Sequence, residues 1–411
     1  MKLEIDLNIK GTVTLDGLSW PPVTPPTDST RVTFEGSLWT LGEPADGGKL
    51  VLRDGQPVGG AGVEFKVEAG LLLLKNDRAD WYKWTGAGWE LHTPTDTGGP
   101  GNFALNPDLT VAQLLAPESS WRRRVDGLTV HPQSAAIIAA QAIVYPPTGH
   151  RFKNDWGPDE GIPYSAGTGN PAVPITALYD GESDPGPHAI ALGAPIEPGS
   201  DKHLLHIDQT TGRLIELGMA RRQGAGFWCE ACAVFPLPIK DDARPLGWTS
   251  ADAAGLPVLA GLVRFDEMER ALAEPDTANQ HLGHALRFTL PNTGHGFIAP
   301  ARHYASPIPY GLPNRPPLGM RIRIKSTMDL SAFNVPTQVL LRTLQLFGAI
   351  LADNGSAFFV TGTHDSRWGK HWDAITGNVD GKAGFKQFGG QSFLDNVEAI
   401  AWDDGDVVTQ V

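Results

Sequence analysis

The chain has 411 residues, 33 Lys plus Arg against 46 Asp plus Glu, and a net charge of −13. That length allows two or three domains, and the acidic balance argues against duplex nucleic acid as a partner, since phosphate contacts need a basic face. Gly (48) and Pro (34) make up about a fifth of the chain and charged residues only 19%, a composition of many turns and little helix.

The first residues, Met1-Lys2-Leu3-Glu4-Ile5-Asp6-Leu7, alternate like a strand and lack the apolar run of a signal peptide. The longest apolar stretch, residues 135–144, is broken by Gln141 and is too short to cross a bilayer. The expectation is a chain that does not insert in a membrane and acts outside the cell or on a virion. Alternation over 2–18 predicts a strand pair. Pro21-Pro22-Val23-Thr24-Pro25-Pro26-Thr27 then reads as a semi-rigid linker, so 1–30 forms a leading segment.

Residues 31–95 read as a small all-β module, with short apolar runs between Gly, Asp and Pro. It ends in Trp81-Tyr82-Lys83-Trp84-Thr85-Gly86-Ala87-Gly88-Trp89. On a strand, Trp81 and Lys83 share one face and Tyr82 and Trp84 the other. Trp81, Trp84 and Trp89 are therefore candidates for stacking on sugar rings, with packing in the module's own core the competing account. The segment resembles short W-Y-x-W-x-G-x-G-W stretches of bacterial and phage polysaccharide-associated proteins. Residues 96–120 read as a second linker.

From 121 to 411 the chain reads as one large mainly-β domain, a β-sandwich or jelly-roll, with one prominent helix near 336–352. Asn334 is placed to cap that helix and Pro336 to open it. Val339, Leu340, Leu344, Phe347, Ile350 and Leu351 recur at helical spacing, and Asn354-Gly355 is a stop signal. A shorter helix is expected over 266–272, and strands over 226–235, 285–290 and 320–325. The clearest hairpin runs from His203 to Leu217 about Gln209-Thr210-Thr211-Gly212. Its alternation puts His203, Leu205, Ile207, Leu214 and Glu216 on one face. His206, Asp208 and Arg213 fall on the other, where a polar cluster is expected.

Glu216 among apolar neighbours is expected to have a raised pKa, as a general acid requires. Asp184 lies in the rigid turn Glu182-Ser183-Asp184-Pro185-Gly186-Pro187-His188, which can present a carboxylate or serve as an ordinary surface turn. Thr249-Ser250-Ala251-Asp252 can cap a helical turn, which favours a structural Asp252. Arg302 and His303 are adjacent, so on a strand they face opposite sides, and His284 and Arg287 share that ambiguity. Cys229-x-x-Cys232 lacks a second ligand pair, so core cysteines are favoured over a zinc site. A weaker reading groups His203, His206 and Asp208 about a metal.

Several blocks occur in order: Ser183-Asp184-Pro185-Gly186-Pro187, Gly247-Trp248-Thr249-Ser250-Ala251-Asp252, Leu262-Val263-Arg264-Phe265-Asp266-Glu267, His284-Ala285-Leu286-Arg287-Phe288-Thr289, Pro300-Ala301-Arg302-His303-Tyr304-Ala305-Ser306 and Ile350-Leu351-Ala352-Asp353-Asn354-Gly355. Together they resemble a family of bacterial proteins of uncharacterised role, most of whose members are actinobacterial or myxobacterial. The resemblance covers about 121–370, implies a single domain there and carries no reaction. The chain departs from the family's pattern around Cys229 and Cys232.

No nucleophile elbow, P-loop, zincin or dinucleotide motif is present. Glycoside hydrolysis needs no local signature, only two carboxyl groups across a groove. The expectation is a polysaccharide-active enzyme without a cofactor, most simply a glycoside hydrolase, with a carbohydrate polymer as partner. Its catalytic candidates are Asp184, Asp208, Glu216, Asp252, Glu267, His284 and His303. Substrate contacts are expected from Trp81, Trp84, Trp89, Trp248 and Arg302. The alternative is a glycan-binding or virion structural protein without catalysis.

Overall fold

The computed structural model describes residues 14–15, 18–19, 30–34, 36–45, 48–68, 71–76, 81–91, 103–141, 150–402 and 406–410. The fold is mainly β, 36% strand against 19% helix, in a sandwich-like arrangement. Two compact units divide the chain, Met1–Thr97 and Gly98–Val411. Among the described residues no helix is long and apolar enough to cross a membrane. Most of the expected leading strand pair, the proline-rich stretch 21–27 and the first part of the second linker, 96–102, lie outside the described residues. Within that segment Thr14–Leu15 pairs with Leu18–Ser19.

The first unit holds two four-stranded antiparallel sheets. One runs Arg31–Phe34, Ser37–Ala45, Gly48–Arg53 and Gln56–Gly62. The other runs Glu64–Glu68, Leu71–Lys75, Trp81–Trp84 and Trp89–Leu91. Asp54 and Gly55, both at positive φ, make the two-residue turn between Arg53 and Gln56, the Asp-Gly pair a tight hairpin favours. Trp39, Val51, Phe65, Leu72 and Leu74 form the core.

The second unit begins earlier than the sequence indicates. Phe103–Leu105 pairs with Tyr164–Gly167, and Leu109, Leu114 and Leu115 sit in the main core. A capping box at Thr110, with Gln113 bonding back, starts the helix Val111–Leu114. Residues 103–120 are thus domain, not linker.

A five-stranded sheet crosses this unit in the order Phe103–Leu105, Tyr164–Gly167, Leu204–Asp208, Arg213–Gly218, Ala231–Pro236. Its two middle strands are the expected hairpin, in the expected register, with Asp208 opposite Arg213. One face, with Leu205, Ile207, Leu214 and Phe235, joins the main core. The other, with Leu204, Ile215, Leu217 and Cys232, joins a smaller core with Phe227 and Cys229. Cys229 and Cys232 are both free and buried there. The single strand expected over 226–235 is split at Glu230 into Gly226–Cys229 and Ala231–Pro236, which belong to different sheets.

A six-stranded mixed sheet covers the main core, in the order Lys153–Gly157, Phe359–His364, Leu286–Leu290, Ala349–Asn354, Arg321–Ile324, Val397–Ala399. The prominent helix is Val335–Leu346, with the Asn334 side chain accepting from Thr337 N at 3.1 Å and Pro336 in its first turn. It is shorter than the expected 336–352. Gly348 turns the chain at φ +68°, and a Cβ there would lie 2.2 Å from the Ile322 carbonyl oxygen. Ile350 and Leu351 are therefore buried strand residues, and their helical spacing is coincidental. The shorter helix is Phe265–Ala273.

Candidate functional site

Most sequence-nominated acids are bound internally. Glu216 is fully buried, and its two oxygens accept the Val258 and Leu259 N–H groups, each at 2.9 Å. Burial pushes its carboxyl up to about 7 against those two bonds. Asp208 closes the hairpin loop by accepting from Thr210 N at 3.0 Å and the Thr211 hydroxyl at 2.5 Å. Asp184 accepts from Val234 N at 2.8 Å and from Arg244 Nη1 at 2.6 Å. Asp252 and Arg287 form a buried two-bond pair, Nε to Oδ2 at 3.0 Å and Nη2 to Oδ1. Glu267 lies between the Arg264 guanidinium and His284, whose Nε2 is 3.1 Å from both carboxylate oxygens.

Two of the aromatic candidates, Trp84 and Trp89, also pack internally. Trp84 and Trp89 are register partners that lean on Trp39, with ring centroids 5.0 and 5.9 Å from it, and the Trp89 indole donates to Gly59 O at 3.1 Å. Trp81 occupies the strand Trp81–Trp84 beside them. Trp248 is half-buried with the Arg244 guanidinium 5.5 Å from its ring. His203 and His206 leave their strand on opposite sides, so no metal group forms with Asp208. His203 meets Glu197, whereas His206 meets Ser165 and Asn170. Among the described residues no group of three or more His, Cys, Asp or Glu is placed to hold a metal.

A cleft of about 490 Å³ opens where turns from both sheets meet, and of the seven catalytic candidates only His303 lines it. The acids on its wall are Glu182, Asp201, Glu230 and Asp353, and His203, Ser250, Tyr179 and Tyr304 line it with them. Glu182 ends a short 3-10 turn, half-exposed, and its Oε2 accepts from Thr249 N at 3.3 Å. His303 donates from Nδ1 to Ala253 O at 2.8 Å, which holds its Nε2 3.5 Å from Glu182 Oε2. The Tyr304 ring stacks on His303, with centroids 5.7 Å apart.

Asp353 reaches the cleft through a β-bulge. Phe288 pairs with Leu351 and Thr289 with Asp353, so Ala352 has no ladder partner. The freed Ala352 carbonyl accepts from Ala254 N at 2.9 Å, which ties the 249–254 bend to the sheet. Burial, and then the charge of Asp252, pushes the Asp353 carboxyl up to about 7.

Beneath the cleft lies a mixed charge network. Arg287 feels Asp252, Asp353 and Asp155 together. Burial raises Asp155 to about 6, with Arg287 opposing. Burial works against a charged His203, but Glu197 at 2.6 Å outweighs it and holds the imidazole at about 9. The site therefore combines a proton-holding acid on the wall, a solvent-facing carboxylate with an imidazole, and fixed cations below. Glu182 was visible in sequence as a neighbour of Asp184, and Asp353 as part of a supposed helix end. Asp201 gave no signal.

The chain matches no protein family, curated protein or solved structure.

Proposed function

We propose that the second unit is a carbohydrate-active enzyme that hydrolyses a glycosidic bond in this cleft. One observation carries the reading: Asp353, whose carboxyl burial pushes upward, shares a concave wall with the Glu182–His303 pair. Two titratable groups in contrasting environments are the usual basis of an acid/base assignment. Asp353 gives its proton to the glycosidic oxygen as the C–O bond breaks. Water adds at the anomeric carbon and its proton passes to Glu182. Half-exposed Tyr304 and exposed Tyr179 supply flat apolar faces for the sugar ring.

The test is a panel of neutral and acidic polysaccharides assayed for new reducing ends, repeated with Asp353→Asn and Glu182→Gln. Turnover on at least one glycan, lost by about 10²–10⁴-fold in each folded variant, supports the assignment. Turnover that survives both substitutions refutes it. Binding without turnover on every glycan would support a recognition role instead.

A further inference from the structure

A second cavity, about 670 Å³, lies apart from the acidic cleft and has the opposite electrostatic character. Three arginines line it, Arg123, Arg302 and Arg321, and Asp406 is its one acidic wall residue among those described. Arg302 and His303 are neighbours in sequence, yet each lines a different cavity.

Arg321 is the unusual member. The buried arginines of this unit take carboxylate partners: Arg244 with Asp184, Arg264 with Glu267, Arg287 with Asp252 and Arg323 with Glu398. Arg321, half-buried on the cavity wall, instead donates to two carbonyls, Ser120 O at 2.6 Å and Arg123 O at 3.3 Å, and has no ion pair among the described residues. Asp241 acts on it only at a distance, and that carboxylate is already bound by Ser120 N at 2.8 Å. Burial, with Arg123 beside it, pulls the Arg321 guanidinium down to about 10.

Arg302 spends its Nε on Arg244 O at 3.0 Å and also has no ion pair among the described residues. Exposed Arg123 is equally without one. Trp402 lines the same cavity, and its buried indole N–H has no acceptor among the described residues. A buried donor left without a partner is costly, and so is a desolvated cation without a counter-charge. The remaining wall is apolar, with Leu128, Leu246, Phe297 and Val408.

We propose that this cavity binds a small organic oxyanion, its anionic group held by Arg321 with Arg123 and Arg302 and its apolar body against Phe297 and Leu246. The volume is that of a small-molecule pocket. Carboxylates and phosphates share the required chemistry, since either accepts two parallel guanidinium bonds.

The test is calorimetric titration of the full chain with benzoate, phenyl phosphate, inorganic phosphate and, as neutral control, benzyl alcohol. Either aromatic anion should bind saturably at about millimolar or tighter, and benzyl alcohol should not. Affinity should fall about tenfold or more in Arg321→Met and severalfold in Arg123→Gln. Arg123 is exposed, so Arg123→Gln keeps the test valid if Arg321→Met fails to fold. Benzoate binding without phenyl phosphate identifies a carboxylate ligand, and the reverse identifies a phosphate ester. No saturable anion binding, binding unchanged in the variants, or inorganic phosphate binding as tightly as both aromatic anions would overturn the proposal.

Discussion

Replacing Asp252 with Asn tests the network on which the cleft rests. Asp252 is 0% exposed and Arg287 4% exposed, so bulk water screens neither. The carboxylate takes two guanidinium N–H groups, whereas an amide can accept with only one atom and turns an NH₂ toward a donor. Removing one partner of such a buried pair costs about 3–5 kcal/mol. The low end is expected, because Arg287 keeps the Thr361 hydroxyl and the nearby Asp353 and Asp155. That residual attraction makes the loss depend on pH.

In the parent chain the raised Asp353 makes the folded state the better proton binder, so its contribution to stability declines as pH rises from about 4 to about 7. Without the Asp252 charge, and facing a freed Arg287, Asp353 ionises more readily and this decline shrinks. Asp252→Asn should therefore cost more at pH 5 than at pH 8. Urea unfolding followed by tryptophan fluorescence reads the difference as a midpoint shift at unchanged slope. A loss below about 1 kcal/mol at pH 5, or a loss that grows with pH, refutes the argument.

The same network sets the pH optimum of stability. Asp353, Asp155 and Glu216 are raised to about 7, 6 and 7, so their contributions decline as pH climbs from about 4. His203, raised to about 9, adds stability below about 6.5 that is lost as pH rises through 9. Burial lowers His206 to about 4, and its contribution is lost as pH falls from about 6.5. Between pH 6 and 8 the losses at Asp353, Glu216 and His203 outweigh the remaining gain at His206, so calorimetry should show Tm falling over that range, and a Tm that climbs steadily from pH 6 to 8 contradicts this. Gly348→Ala should destabilise by about 2–3 kcal/mol or more, since it adds a backbone clash to a left-handed φ. Gly212→Ala, at φ +65° with open space around its Cβ, should cost only about 1 kcal/mol by the same unfolding assay. In the hydrolysis assay, activity should fall about tenfold per pH unit above about 7 as Asp353 deprotonates, and Asp252→Asn should move that limb downward.

What could be read from the sequence divides along physical lines. The hairpin of His203 to Leu217 was legible because period-two alternation and a Gly-terminated loop are both local, and they fix which side chains share a face. The cap at Asn334 was legible for the same reason. The far end of that helix was not, because Ile350 and Leu351 suit a buried helix and a central strand equally well. The left-handed turn at Gly348 decides between them, and the Ile322 carbonyl that a Cβ would strike comes from a neighbouring strand.

The candidate site depends even more on partners distant in the chain. Asp184 and Glu182 lie in one turn and look alike in sequence. Asp184 receives a guanidinium from Arg244, sixty positions on, and becomes part of the frame. Glu182 meets His303 at the cleft and keeps a solvent-facing oxygen. Asp353 differs from the internally paired acids through one unpaired residue in its strand, Ala352, which no local pattern marks. Nominating acids by an apolar neighbourhood therefore selects those that are buried and satisfied, such as Glu216. A carboxyl that can exchange a proton with a ligand must be desolvated and still lie on a wall. Among the acids of the cleft Asp353 meets both conditions, which is why the proposed chemistry is placed on it.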